Sequence, residues 1–368
     1  LQTYDYLVVG AGLSGSTIAE RLASSGASVL ILDRREHVAG NAHDDCYLDG
    51  LQYHAYGPHI FHTNSQRVVD YLSQFTAWRQ YEHRVLSRID EKLLPVPINR
   101  TTINRLFGLN LDETGIRHFL AQRAESYPRI DNSEQMIRSR IGRELYELFF
   151  RGYTRKQWGR DPSELDSAVC GRIPTRSGDD DRYFGDLFQA MPAAGFTAMV
   201  ARMLAKPNID IALGVEYRTV AREVRARQLV FTGPIDEYFD YRYGRLPYRS
   251  LRFQFEIHAR SRFQSAACIN EPDERIPYTR TTEYPYLTGQ SADRTIISRE
   301  FAGSDGDPFY PVPCAESRAL YLRYESLATR EPNTLFAGRL GEYRYFNMDQ
   351  VVASALAKAE SLMRNEVA

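Results

Sequence analysis

The sequence predicts an α/β protein: a Rossmann-like dinucleotide-binding domain with an inserted helical bundle domain and an antiparallel β-sheet domain. Three observations predict it. The chain opens on a strand, a glycine-rich turn, a helix and a second strand. Its last 35 residues supply one more strand and helix, and the periodicity between the two ends changes from helical to alternating.

The first element is Tyr6-Leu7-Val8-Val9, an apolar run of buried-strand length, followed at once by Gly10-Ala11-Gly12-Leu13-Ser14-Gly15. A helix runs from there to about Ser25, with Ile18, Leu22 and Ala23 on one face. A second strand at 28–32 ends in Asp33. Gly10 makes the tight turn, Gly12 lets backbone approach a pyrophosphate, and Gly15 lets the helix meet the strand. The helix N-terminus offers unpaired N–H groups and a partial positive charge to phosphate. Asp33, 18 residues after Gly15, is placed to accept from an adenosine ribose hydroxyl. The motif does not choose between NAD and FAD. Gly40 and Asn41 follow, where backbone without bulk suits a flat cofactor.

Tyr56-Gly57-Pro58-His59-Ile60-Phe61-His62 reads as a loop carrying two histidines, His59 being either a structural hydrogen-bonder or a functional group. Residues 100–170 carry helical pattern, for example 133–151 with Met136, Ile137, Ile141, Leu145, Leu148 and Phe149. Residues 85–98 and about 238–330 read as strands punctuated by Gly and Pro. At the end of the helical stretch lies Gly152-Tyr153-Thr154-Arg155-Lys156-Gln157-Trp158, where Tyr153 or Trp158 can stack a nucleobase. The run from Arg172 to Phe184, with Arg176 and three consecutive aspartates, suits a mobile lid over phosphate as well as a plain solvated loop. Arg280 and Arg339 each stand just after a predicted strand, where a diphosphate can be held. The chain finishes with a strand at 334–338 and a helix at 348–362 whose Val351, Val352, Ala355, Leu356, Ala359 and Leu362 share a face. These patterns divide the chain into 1–84 with 185–237 and 330–368 (nucleotide domain), 99–184 (helical domain), and 85–98 with 238–329 (sheet domain).

The chain has 368 residues, room for two or three packed domains. At 43% hydrophobic and 25% charged residues it is neither disordered nor fibrous. The net charge of −1 lacks the basic excess of a nucleic-acid or acidic-membrane binder. No apolar run approaches the roughly 18 to 20 residues that span a bilayer, and no charged-then-apolar leader is expected. Cys46, Cys170, Cys268 and Cys314 have neither metal-ligand nor disulfide spacing, so no metal and a reducing compartment are expected. Only four of the 46 basic residues are lysines, Lys92, Lys156, Lys206 and Lys358. Genomic base composition and bidentate phosphate grip by arginine both account for that bias.

Taken together, the runs YDYLVVGAGLSG, YGPHIFHTN, GYTRKQWGR, FTGPIDEYFDYRYGRLPYRSL, IPYTRTTE, FYPVP and FAGRLGEYRYFNMDQV resemble the prokaryotic UDP-galactopyranose mutase family over nearly the whole chain. The resemblance implies a Rossmann-like FAD-binding domain and a non-covalent FAD that is active only when reduced. The implied reaction interconverts UDP-galactopyranose and UDP-galactofuranose by attack of reduced flavin N5 on the anomeric carbon. By position, Arg176 and Arg280 bracket the diphosphate, and Tyr310 and Tyr345 hydrogen-bond it. Tyr153 stacks on uracil with Thr154, Trp158 and Tyr183 nearby. His59 lies beside the flavin ring, Arg339 contacts it, and Gly10, Gly12, Gly15, Asp33, Arg34, Gly40, Asn41 and Met348 hold the cofactor. An electron donor outside the chain, a cytoplasmic location and a homo-oligomer are also implied.

Three positions depart from the family pattern: Ala39 for a glycine, Ser177-Gly178-Asp179 for Phe-Asn-aromatic after the lid arginine, and Phe346-Asn347 for Tyr-Asp. Asn347 removes a carboxylate close to flavin and sugar. Sugar or base selectivity is where the difference is expected, so UDP-N-acetylgalactosamine and dTDP- or 6-deoxy-hexoses are alternative substrates of the same chemistry. An amine-oxidase-like flavoenzyme is a further alternative on the shared fold, and a flavin-bound inactive binding protein is another.

Overall fold

The computed structural model describes residues 2–47 and 50–367. The nucleotide sheet has five parallel strands in the order Ile209–Leu213, Val29–Asp33, Gln2–Val9, Val224–Phe231 and Thr334–Phe336. Val29–Asp33 is buried along its length, as a strand covered on both faces must be. Helix Leu13–Ser24 packs on helix Met348–Val367. The contact uses Ile18, Ala19 and Leu22 against Val352, Ala355 and Ala359, all buried. Alanines on both sides let the helix axes approach closely.

The turn between the first strand and helix is set by two glycines. Gly10 has φ +106°, and a Cβ there would lie 2.0 Å from Thr232 Oγ1. A Cβ on Gly15 would lie 1.9 Å from the Gly10 carbonyl oxygen, so the helix can begin only where that side chain is missing.

A seven-stranded sheet runs in the order Tyr310–Pro311, Tyr248–His258, Thr295–Gly303, Arg280–Glu283, Cys268–Asn270, Val85–Ile89 and Lys92–Val96. Its neighbours are antiparallel except for one parallel pair, Cys268–Asn270 with Val85–Ile89. That pair joins segments far apart in sequence, so no hairpin dictates their direction. Arg280 opens its strand rather than following one. A small three-stranded sheet, Phe61–Thr63, Phe188–Pro192 and Trp78–Gln80, lies between the chain's larger layers in sequence order.

The helical region contains Arg100–Phe107, Glu113–Arg123 and Ser133–Tyr146, each started by a side-chain N-cap from Asn99, Asp112 or Asn132. The pattern at 133–151 is not one straight helix. Gly142 has φ 76° and ψ 176°, and Glu147–Arg151 winds as a π-turn before helix Gly152–Trp158. A Cβ on Gly142 would sit 2.3 Å from the Arg123 carbonyl oxygen, so the break is where two helices come closest. The C-terminal strand ends at Phe336 and gives way to a short helix, Gly338–Gly341.

Helix Ala315–Ala328, within the span first assigned to the sheet domain, buries Tyr324 and Leu327 with Phe231 and Phe336 of the nucleotide sheet. On that packing we propose that it belongs to the nucleotide domain. No helix among the described residues is long and apolar enough to cross a membrane.

Gly142→Ala is expected to lower stability by about 2 kcal/mol, from a positive φ without its glycine and a carbonyl clash. A denaturation midpoint equal to that of the unsubstituted chain would refute the account.

Candidate functional site

A cleft of about 960 Å³ opens where the parallel strands end, at Val9, Asp33 and Phe231. It falls at the upper end of ligand clefts (roughly 300–1,000 Å³). Gly10, Gly12, Arg34, Gly40, Asn41, His59, Arg339 and Met348 also line it, whereas Gly15 sits behind the turn. Gly12 bridges Ala39, and a Cβ on Gly12 would lie 3.7 Å from the Gly40 Cα, so two bare backbones face each other. Helix Leu13–Ser24 has no side-chain cap and no acid in its first turn. The Ser14 hydroxyl beside it is buried without a protein partner and lines the cleft. Met348, the first residue of the C-terminal helix, lines the same space. Unpaired N–H groups, an orphan hydroxyl and two glycine backbones together fit the phosphates of a dinucleotide such as FAD.

Asp33 has a duty the sequence did not indicate. One carboxylate oxygen accepts from the Ala11 N–H at 2.8 Å and the other from the Arg35 N–H at 2.9 Å. It therefore holds the glycine turn, and a ribose hydroxyl would use its remaining lone pairs. Arg35 donates to the Asn41 side-chain oxygen at 2.8 Å, which orients that amide. Arg34 and Arg35 both reach Asp307, at 2.9 and 3.2 Å, from the loop after strand Thr295–Gly303.

His59 is held by its backbone and its ring. Its N–H donates to Nδ1 of buried His54 at 3.0 Å, and its own Nδ1 lies 2.9 Å from the Gly57 carbonyl. A carbonyl can only accept, so Nδ1 carries the proton and Nε2 is an acceptor. Burial pushes His59 down to about 3, helped by His54, Arg339 and Arg280, so the ring is neutral at pH 7.

Arg280 is the common neighbour of the remaining groups. Its Nε and one terminal nitrogen both donate to Glu300 Oε2, at 2.9 and 2.7 Å. Glu300 is 1% exposed, and its other oxygen takes the Thr279 hydroxyl at 3.2 Å. Burial opposes the Arg280 charge, but Glu300 together with Tyr153, Cys268 and Tyr310 holds the guanidinium well above its ordinary value. Tyr153 and Tyr310 couple electrostatically to Arg280 as well, and burial raises both phenols. Tyr310 and Tyr345 stack edge-to-face at 5.4 Å, with Trp158 5.3 Å from Tyr345. Arg339 lies 5.0 Å over the Tyr310 ring and donates to the Phe346 carbonyl at 2.8 Å. Trp158 is buried in the helical core, and Thr154 turns its hydroxyl to Cys170 at 3.6 Å. Tyr183 donates its N–H to the His83 carbonyl at 2.7 Å.

Arg176 serves its own loop. It donates to the carbonyls of Asp180, Arg182 and Phe184 and lies 3.8 Å from the Asp180 carboxylate. The loop is fastened rather than free. Arg100 pairs with Asp179, Arg84 with Asp181, and Asn99 donates to the Asp180 carbonyl. Asp179, one of the departures noted above, is thus half of an ion pair across to the helix at Arg100–Phe107. Asn347 starts the C-terminal helix: its N–H donates to Gln350 and its carbonyl accepts from Val351.

Sequence reasoning missed Glu300, His54 and Arg172. Arg172 lies 4.5 Å over the Tyr345 ring and stands four residues before Arg176 in a run already noted for its arginines. Glu300 is buried within strand Thr295–Gly303 just after the apolar Ile296-Ile297, and a carboxylate in that setting signals a cation partner.

Burial pushes His54 down to about 4, and its Nδ1 must stay bare to accept the His59 N–H. The unfolded histidine titrates near 6.5, so this stability is full above about pH 6.5 and fades as pH falls toward 4. His54→Asn keeps an acceptor at the Nδ1 position and cannot be protonated. It is expected to remove roughly 3 kcal/mol of the stability lost over that interval. Equal slopes of unfolding free energy against pH for both proteins would contradict this.

Residues 148–345 match the family described as UDP-galactopyranose mutase, and residues 8–75 match an NAD(P)-binding Rossmann-like domain. The chain is similar to a protein named probable UDP-galactopyranose mutase from Klebsiella pneumoniae, 38% identical over 97% of this chain and 94% of that one. It is also similar to dTDP-fucopyranose mutase from Escherichia coli, 34% identical over 98% of each. Among solved structures, reduced UDP-galactopyranose mutase superposes with a TM-score of 0.79 at 15% identity, covering 98% of this chain and 95% of that one. With the matched region exceeding half the chain, and a 38% identical relative aligned over nearly all of it, this protein belongs to the UDP-galactopyranose mutase family.

Proposed function

We propose that the protein is an FAD-dependent mutase that interconverts the pyranose and furanose forms of a nucleotide-activated hexose, with UDP-galactose as the substrate. The observation that carries this reading is the Arg280–Glu300 pair, whose guanidinium acts electrostatically on His59 in the cleft and on Tyr153 and Tyr310.

Reduced flavin bound in the cleft supplies the nucleophile for the anomeric carbon, which accounts for a site without an activated Ser or Cys. The chain's part is to bind, orient and neutralise. Arg280 meets the negative charge that gathers on the departing diphosphate, and its two hydrogen bonds to Glu300 Oε2 fix that charge in advance. Tyr310 and Tyr345 donate to the same oxygens, and Tyr153 offers its ring to the base. Arg176 joins them when its loop releases the carbonyls it now binds. His59, neutral and with Nε2 as an acceptor, places a proton acceptor beside the cofactor without adding positive charge.

The second reading keeps the chemistry and changes the substrate to a dTDP-6-deoxyhexose. The relative named dTDP-fucopyranose mutase and the pair Phe346-Asn347 favour it. An electron donor outside the chain keeps the flavin reduced. The four free cysteines support a reducing, cytoplasmic setting, and family likeness alone supports a homo-oligomer.

The test is chromatographic. Dithionite-reduced and oxidised protein are incubated with UDP-galactofuranose and then with dTDP- and N-acetylated hexoses. Conversion of the UDP-galactose pair by the reduced form alone is expected. Conversion of a dTDP-hexose instead selects the second reading, conversion of an N-acetylated hexose alone overturns both substrate assignments, and no conversion by flavin-loaded protein defeats the mutase chemistry itself. Arg280→Ala should retain FAD by absorbance yet lose about a hundredfold or more in turnover; near-normal turnover would remove Arg280 from its assigned role.

A further inference from the structure

We infer that Lys156 is a positioning residue that sets where Arg280 stands relative to Tyr153. This inference rests on the nucleoside-diphosphate reading of the site.

Lys156 lies three residues after Tyr153 on helix Gly152–Trp158. Its Nζ lies within hydrogen-bond distance of four main-chain carbonyls, Glu271, Asp273 at 2.9 Å, Ile276 at 2.9 Å and Tyr278 at 2.8 Å, so its three N–H groups are shared among them. All four belong to the irregular connection between strands Cys268–Asn270 and Arg280–Glu283. One ammonium thus gathers a loop with no regular hydrogen-bond ladder of its own. That loop ends at Thr279, whose N–H donates to the Glu300 carbonyl at 2.8 Å and whose hydroxyl meets the Glu300 carboxylate. The next residue is Arg280. The chain of contacts therefore runs from the helix bearing Tyr153, through Lys156 and the loop, to the Arg280–Glu300 pair.

Two further contacts fix the same helix to the same sheet. A Cβ on Gly152 would lie 2.2 Å from the Pro272 carbonyl oxygen, so the first turn rides directly on the loop. At the other end buried Arg249 donates to the carbonyls of Gln157 and Lys156, at 2.9 and 3.2 Å, and to the Ser304 hydroxyl. A cation at a helix C-terminus is favourable in itself.

The residue type is informative. Only four of the chain's 46 basic residues are lysines, and one stands here. A compact ammonium donates in three directions to converging carbonyls, which a planar guanidinium cannot match. The carboxylates of Glu271, Asp273 and Glu274 lie around it. Asp273 and Glu274 are themselves engaged by Arg275 and Arg155.

The experiment measures binding of uridine and of UDP to the oxidised holoenzyme by calorimetry. Uridine reads the base site alone, and UDP reads base and diphosphate together. The wild type must first prefer UDP over uridine; without that preference the underlying reading fails, whatever Lys156 does. In Lys156→Met, uridine affinity should stay within about threefold while the preference for UDP falls about tenfold or more. Lys156→Arg keeps the charge and should still lose most of the preference. It also carries the test if the methionine variant does not yield folded flavoprotein. An unchanged preference in both variants, or equal loss of uridine and UDP binding, would overturn the inference. Full rescue by arginine would overturn it too, since long-range charge would then suffice.

Discussion

A guanidinium can be buried only if its N–H groups find acceptors, and the active region is organised around satisfying that condition for Arg280. Glu300 takes two of its bonds from the adjacent strand of the seven-stranded sheet, and Thr279, just before the strand that Arg280 opens, steadies Glu300. Breaking the pair from either side would leave one charge stranded, so neither residue can vary alone. Around this pair the chain places more cations that hydrogen-bond to main-chain carbonyls: Lys156, Arg249 and Arg339. Carbonyls orient a cation without neutralising it.

The nucleotide unit was legible because its signals are local. Glycines at three fixed offsets, an apolar run and a terminal acid fall within 33 residues, and each has a single steric or electrostatic reason. Long-range pairing was less legible. The parallel match of Cys268–Asn270 with Val85–Ile89 joins segments with no shared turn, so periodicity carries no information about its direction. The break at Gly142 was hidden for a similar reason: a glycine inside a helical pattern is tolerated until another backbone, here at Arg123, comes close. Single residues with family-implied roles were located by position, but their present partners were not. Asp33 braces its own turn and Arg176 its own loop, and neither duty leaves a trace in residue type.

The loop from Arg172 to Phe184 shows how one substitution alters the meaning of a motif. Asp179 replaces an aromatic in the family pattern and pairs with Arg100, while Arg84 takes Asp181. These pairs are half-exposed and individually weak, so salt screens them and they act as a catch more than a lock. Freeing Arg176 would cost a few exposed ion pairs and its carbonyl contacts within the loop.

The packing of helix Leu13–Ser24 on Met348–Val367 has a consequence for biogenesis. The first nucleotide-binding elements leave the ribosome early, yet their outermost strand, Thr334–Phe336, and their covering helix are translated more than 300 residues later. During synthesis the apolar flank at Ile18, Ala19 and Leu22 stays uncovered, and the flavin cleft lacks the wall formed by Arg339 and Met348. A complete cofactor cleft therefore needs residues 334–348 as well as the glycine turn, and the flank at Ile18, Ala19 and Leu22 stays exposed until the helix Met348–Val367 is made.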